Sequence, residues 1–130
     1  MRALAVRLPG SGSRLACVFD GHCGEGCAEF ARARMPAAVE ASGGNLAGAI
    51  FEVHAQFLRE QPDDETGTTS TVATISADGR LNVACIGNGR AVLCSKDGYA
   101  EALVKDRKPC LLYTSPSPRD ATLSRMPSSA

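Results

Sequence analysis

The sequence contains no tryptophan, and aromatic residues make up only 5% of it. A core must therefore be filled with Ala, Val, Leu and Ile. Neither sign of charge is in surplus, since Lys plus Arg and Asp plus Glu each number 14. That balance argues against a nucleic-acid-binding arm and against a polybasic membrane patch, which both need an excess of positive charge. No apolar run approaches the roughly 18 residues that a bilayer-spanning helix requires. The opening stretch Met1–Pro9 is interrupted by a charge after six residues and makes a poor signal peptide. At 130 residues the chain is long enough for one ordinary domain and too short for two. A cytoplasmic or nuclear chain with no membrane segment and no nucleic-acid partner is the expectation.

The six cysteines do not fall into a recognised metal pattern. Without a secretory signal a disulfide framework is not expected. A zinc site from Cys17, His22, Cys23 and Cys27 would lack the CxxC knuckles of structural zinc. Small buried or half-buried thiols are the better reading.

Along the chain, residues 1–14 end in Pro9-Gly10-Ser11-Gly12-Ser13, which reads as a flexible N-terminal segment. Leu15–Phe19 is a short apolar run that suits a strand buried on both faces. Ala28, Ala31, Met35 and Val39 then recur at helical spacing, with Pro36 expected to bend or end the helix. Ser42-Gly43-Gly44 breaks the chain, and Asn45 is a good cap for a second helix running to about Glu60. A polar loop follows at 61–67. Strands are expected over 69–76, 81–86, 90–94 and 99–104, separated by turns of which Asp78-Gly79 is the clearest. Two helices followed by an antiparallel meander give an α+β class.

Two segments could carry chemistry. Val18-Phe19-Asp20-Gly21-His22-Cys23-Gly24 delivers an acid, a glycine and a histidine at the end of a buried strand. A hard cation such as Mg2+ or Mn2+ takes carboxylate and carbonyl oxygens, which Asp20 and Gly21 could offer. His22 beside it could donate or accept a proton. The plain alternative is a turn leaving a strand, with Asp20 capping the next helix, and the spacing by itself does not choose. The second segment is Gly67-Thr68-Thr69-Ser70-Thr71-Val72 with Asn82–Val92, whose small residues and glycines read as close strand packing and turns.

Taken in order, these motifs resemble the metal-dependent protein serine/threonine phosphatases of type 2C. Residues 18–24 look like the family's V-F-D-G-H-G-G, Gly67-Thr68-Thr69 like G-S/T-T, Leu81–Leu93 like L-x-V-A-N-V-G-D-S-R-A-V-L, and Lys105–Pro109 like x-D-H-K-P. The resemblance covers residues 15–109. It implies an αββα fold, two packed sheets flanked by helices, of which about half is present as a partial β-sandwich. It also implies two Mg2+ or Mn2+ ions, with Asp20 matching the aspartate that bridges them and Gly21 the glycine whose carbonyl binds one. His22 matches the histidine proposed as general acid, and the substrate would be a phosphoprotein. The complete enzyme is expected to be a monomer.

The departures from the family pattern are as informative. Its upstream phosphate-gripping Arg and downstream acidic motifs have no counterpart, so the chain by itself is expected to be inactive. Asn88 stands where the family has an aspartate, and Cys23 where it has a glycine. If position 23 needs a positive φ, Cys is strained there; a redox thiol is the alternative to simple tolerance. Residues 110–130 change character, with three of the seven prolines, and resemble translated sequencing-adapter read-through. A disordered or non-native tail is the expectation for them. The rival to a phosphatase fragment is a non-catalytic, phosphatase-like binding module.

Overall fold

Leu15, Cys17 and Phe19 are buried while Arg14, Ala16 and Val18 are exposed. A strand of that period hides one face only, which corrects the expectation of burial on both. The computed structural model describes residues 1–104 and 111–115. This strand, β2 (Arg14–Phe19), lies inside a five-stranded antiparallel sheet. The other strands of the sheet are β1 (Arg2–Arg7), β5 (Ser70–Ile75), β6 (Leu81–Ile86) and β9 (Leu111–Ser115), in the order β1-β2-β5-β6-β9. Between β2 and β5 come β3 (Gly21–His22), α1 (Gly26–Ala41), α2 (Leu46–Glu60) and β4 (Gly67–Thr68).

The N-terminal segment, expected to be flexible, is strand β1. Arg2↔Phe19 through Arg7↔Arg14 pair it with β2. Pro9–Ser13 is the hairpin loop, closed by the Leu8 amide donating to the Ser13 carbonyl (2.7 Å). Leu8 itself is 2% exposed, so this loop carries a core side chain. Arg2 pairs with Glu29, and Arg32 donates to the Ala3 carbonyl (3.1 Å), which fastens β1 to α1.

The two helices cover one face of the sheet. Ala28, Ala31, Met35 and Val39 of α1 and Leu46, Ile50 and Val53 of α2 pack on Leu15, Cys17, Phe19, Val72 and Ala84. Each large apolar side chain buried in this way contributes about 1.5–3 kcal/mol. Pro36 does not end α1, which runs five residues past it to Ala41. It removes one helical bond, to the carbonyl of Arg32, but its neighbours Met35, Ala38 and Val39 are buried and hold the helix in place. Asn45 caps α2 as its residue type predicts, accepting from the Gly48 amide (3.0 Å). Phe30 of α1 meets Phe57 of α2 edge to face at 5.3 Å, and Arg34 lies over Phe30 while pairing with Glu60 (2.6 Å).

The β5–β6 hairpin follows the Asp78-Gly79 signal, with Gly79 at φ +88° and Ile75 opposite Leu81. The expected meander then departs from the sheet. β7 (Val92–Cys94) and β8 (Ala100–Ala102) form a separate two-stranded ribbon. Leu103 and Val104, just past β8, pack with Leu81, Val83 and Cys85 in a second apolar cluster. These β6 residues alternate with Ala84 of the helix-covered cluster, so this is the opposite face of the sheet. That face is covered at β6 and open at β2, where Val18 is 42% exposed, and at Ile75, 47% exposed. The architecture is α+β, with a helix pair, a sheet and part of a second β layer. Of the tail expected to be disordered or non-native, residues 111–115 form β9 opposite Cys85–Leu81; residues 110 and 116–130, and the Lys105–Pro109 motif, lie outside the described residues.

Candidate metal and catalytic site

Asp20 is the first residue past the last buried side chain of β2, and it is exposed. Its backbone is held on both sides by Thr69. The Thr69 amide donates to the Asp20 carbonyl (3.1 Å), and the Asp20 amide donates to Thr69 Oγ1 (3.2 Å). No hydrogen bond or ion pair from a described residue reaches the Asp20 carboxylate. A carboxylate on a fixed backbone, with no partner among the described residues, is suited to an external cation.

Gly21 and His22 form β3, paired with Thr68 and Gly67 of β4. His22 rests against Gly67 so closely that a Cβ at position 67 would overlap its ring. The Gly67-Thr68-Thr69 motif therefore supports the Asp20-Gly21-His22 motif directly: Gly67 makes room for His22, Thr68 pairs Gly21, and Thr69 holds Asp20. The Gly87-Asn88-Gly89 turn backs this contact in turn. A Cβ at Gly87 would come within 2.8 Å of Thr69 Cγ2, and one at Gly89 would overlap the Thr71 hydroxyl. The two segments read from the sequence are thus one assembly.

Cys23 has φ +61°, the left-handed region that the residue type disfavours. The structure also answers what caps α1. Asp20 does not; Glu25 stands at the cap position and makes no side-chain cap bond. Thr66 does so from across the chain, its Oγ1 accepting from the Cys27 amide (2.8 Å). Asp64 holds Thr66 through bonds from its amide (2.8 Å) and its hydroxyl (2.6 Å). Those bonds, the hydroxyl one first, lower the Asp64 carboxyl below its usual value. By sequence this segment reads only as a polar loop. An Asp two residues before a Thr is the local signal of such a turn, but its target 39 residues away is not.

The described cysteines do not converge. Cys17 is buried under the helices, its thiol pushed up to about 12 by burial. Cys27 is raised by burial and then by Asp64, and Cys85 is buried with its thiol donating to the Gly89 carbonyl (3.2 Å). Among the described residues no three His, Cys, Asp or Glu side chains gather around a common point. Asp20 and Gly21 place a carboxylate and a carbonyl oxygen on consecutive residues just past the end of β2. Hard oxygen donors fit Mg2+ or Mn2+ rather than zinc. Among the described residues no helix is long and apolar enough to cross a membrane.

A sheet with paired helices on one face, a second β layer beginning on the other, and an exposed acid just past the end of β2 defines a class of protein. The same fold is found in a bacterial serine phosphatase, with a TM-score of 0.70 over 88% of this chain and 62% of that one at 16% identity. It recurs in the Mycobacterium tuberculosis serine/threonine phosphatase PstP/Ppp, with a TM-score of 0.54 over 81% of this chain and 53% of that one at 24% identity. The family model described as Protein phosphatase 2C matches residues 9–112, and the chain belongs to that family. Relatives include Protein phosphatase 1L of Bos taurus, 37% identical over 71% of this chain and 30% of that protein. Probable protein phosphatase 2C 59 of Arabidopsis thaliana is 33% identical over 71% of this chain and 32% of that protein. The chain thus spans about a third of the length of the curated relatives it matches.

Proposed function

We propose that this chain carries one edge of a phosphatase active site: the Asp20-Gly21-His22 part of a centre that hydrolyses phosphoserine and phosphothreonine in proteins. The observation that carries the reading is the Asp20 carboxylate, exposed, without a described partner, and fixed by its backbone to Thr69. Solved relatives of this fold include RsbX in complex with magnesium and a PstP catalytic domain in complex with two manganese ions. Asp20 and the Gly21 carbonyl would hold such ions here. Divalent cations so held supply Lewis-acid neutralisation of phosphoryl charge and a lowered pKa for attacking water.

The chain's own residues then have distinct tasks. Asp20 contributes negative charge and orientation; Gly21, half-buried and without a side chain, leaves its carbonyl approachable. His22 is exposed and braced by Gly67. It is one residue beyond the metal edge, where it can give a proton to the departing alcohol oxygen. No Ser or Cys needs to act as nucleophile. One carboxylate and one carbonyl are too few donors for two hydrated ions, so the chain by itself is inactive on this reading.

The test is a Mn2+ titration of the 130-residue chain followed by NMR. Paramagnetic broadening centred on Asp20 and Gly21, lost in Asp20→Asn, is expected, with no Mn2+-dependent hydrolysis of a phosphoserine peptide. Broadening that ignores Asp20→Asn would sink the metal assignment, and metal-dependent turnover would sink the inactivity. A second reading, a non-catalytic phosphatase-like module, is favoured by the strained Cys23 and by Asn88 in place of an acid. It predicts no Asp20-dependent broadening at all.

A further inference from the structure

We propose that Thr69 is a positioning residue for Asp20, acting through its hydroxyl in place of a main-chain carbonyl. The proposal rests on the reading of Asp20 as a metal ligand, and it comes from an irregularity in the sheet. The β2–β5 ladder runs in register from Arg14↔Ile75 to Val18↔Thr71. Continued by two residues, it would set Asp20 opposite Thr69. A regular antiparallel pair at that point exchanges two main-chain bonds, each amide donating to the other's carbonyl. Only one of them is made here, from the Thr69 amide to the Asp20 carbonyl (3.1 Å).

The second has been rerouted. The Thr69 carbonyl accepts instead from the Thr68 hydroxyl (2.8 Å), and the Asp20 amide turns to Thr69 Oγ1 (3.2 Å). A rung made from main chain is indifferent to the residue at position 69; this one is not. It falls where β2 ends and the backbone turns into β3, so it sets the direction in which Asp20 leaves the strand. Without the hydroxyl, the Asp20 amide has no acceptor among the described residues at the hinge between the sheet and the Gly21-His22 ribbon.

The hydroxyl is itself held. Thr is β-branched and stiff about χ1, and Gly87 closes on its methyl so tightly that a Cβ there would lie 2.8 Å from Cγ2. The methyl packs against Gly87 while the oxygen accepts from Asp20, so the two groups of this side chain can be removed one at a time.

Two substitutions separate the parts. Thr69→Val keeps the methyl against Gly87 and removes the acceptor; Thr69→Ser keeps the acceptor and removes the methyl. Hydrogen exchange of the Asp20 amide, the Asp20 χ1 coupling constants and the Mn2+ titration midpoint are read for each in the 130-residue chain. Thr69→Val should accelerate Asp20 exchange roughly tenfold, as loss of one hydrogen bond implies, average the χ1 couplings, and raise the Mn2+ midpoint severalfold. The amides of Val72 and Ala84 should stay unchanged. Thr69→Ser should remain near the wild type on all three.

Unchanged Asp20 exchange in Thr69→Val, or an equal loss in Thr69→Ser, overturns the proposal. Should Thr69→Val lose protection at Val72 and Ala84 as well, Thr69→Ala replaces it in the comparison with serine under the same criteria. Mn2+ broadening that persists in Asp20→Asn would defeat the metal reading instead, while the exchange and coupling measurements still decide whether Thr69 orders Asp20.

Discussion

Phe19 and Asp20 are neighbours in the chain, and the peptide bond between them divides two differently built regions. Up to Phe19 the molecule is held by burial: its ring is fully covered, packed with Leu15 and Cys17 against Ala28, Met35 and Ile50. Around Asp20 and the β3–β4 ribbon the structure is held by hydrogen bonds and close glycine contacts. Thr69 grips Asp20, Gly67 admits His22, and Thr66 caps α1. The apolar region tolerates little change of volume, because interiors pack at crystal-like density. The polar region tolerates little change of shape, because each contact depends on one atom. The metal edge proposed at Asp20 would be served by the second arrangement, which leaves a carboxylate exposed while fixing the backbone that carries it.

The largest test of this contrast is at Phe19 and the residue before it. Phe19→Ala should cost about 3–5 kcal/mol, the usual penalty for emptying a buried aromatic site. That is a large share of the 5–15 kcal/mol that typically separates folded from unfolded chains. Val18→Thr, one residue away on the open face, should fall within about 0.5 kcal/mol of the wild type. Urea unfolding followed by circular dichroism measures both. Comparable losses would mean that the open face around Val18 is covered in solution and that the contrast is drawn in the wrong place.

The apolar region was also the easier one to read. Helix α2 follows from Asn45 and the spacing of Leu46, Ile50, Val53 and Phe57, all of which are buried. Asp78-Gly79 announces the β5–β6 hairpin. Strand β1 escaped because Ala3, Ala5, Arg2 and Arg7 give a weak alternation, and because Pro9–Ser13 has the composition of a linker while serving as a hairpin loop. Pro36 misled because a proline's effect depends on the packing of its neighbours, which no local pattern encodes. Asp20, Gly21 and His22 were legible as a motif and do share one edge. Their support was not: Thr69 acts over 49 positions and Thr66 over 39, and only the sheet register brings them into place.

Cys23 offers a smaller test within the polar region. Its left-handed backbone costs a non-glycine residue about 1–2 kcal/mol, and the side chain is exposed, so nothing apolar offsets that cost. Cys23→Gly relieves the strain but adds freedom to the unfolded chain, worth about 0.5–1 kcal/mol in the other direction. A net gain of about 0.5–1 kcal/mol is expected from the difference, read from the same urea experiment. A loss on substitution would show that the thiol makes a contact that holds the loop, and that shape alone does not govern this region.

The smallest expected effect is a titration, and it concerns the contact that joins the two regions. Thr66 belongs to the polar loop, yet its hydroxyl caps α1, whose buried face is apolar core. Asp64 orients that hydroxyl by accepting from it, and the folded chain holds the carboxyl below its ordinary value of 3.8 in consequence. A depressed carboxyl favours the folded state only when ionised, so its contribution is complete above 3.8 and disappears as the pH falls through the lowered folded value. The Thr66 and Cys27 amide resonances should therefore move together in an acid titration, with a shared midpoint below 3.8 that is absent from Asp64→Asn. Separate midpoints would uncouple the loop from the helix. In that case the start of α1 would not depend on the residues that lead into β4, and the support for His22 would have to come from Gly67 alone.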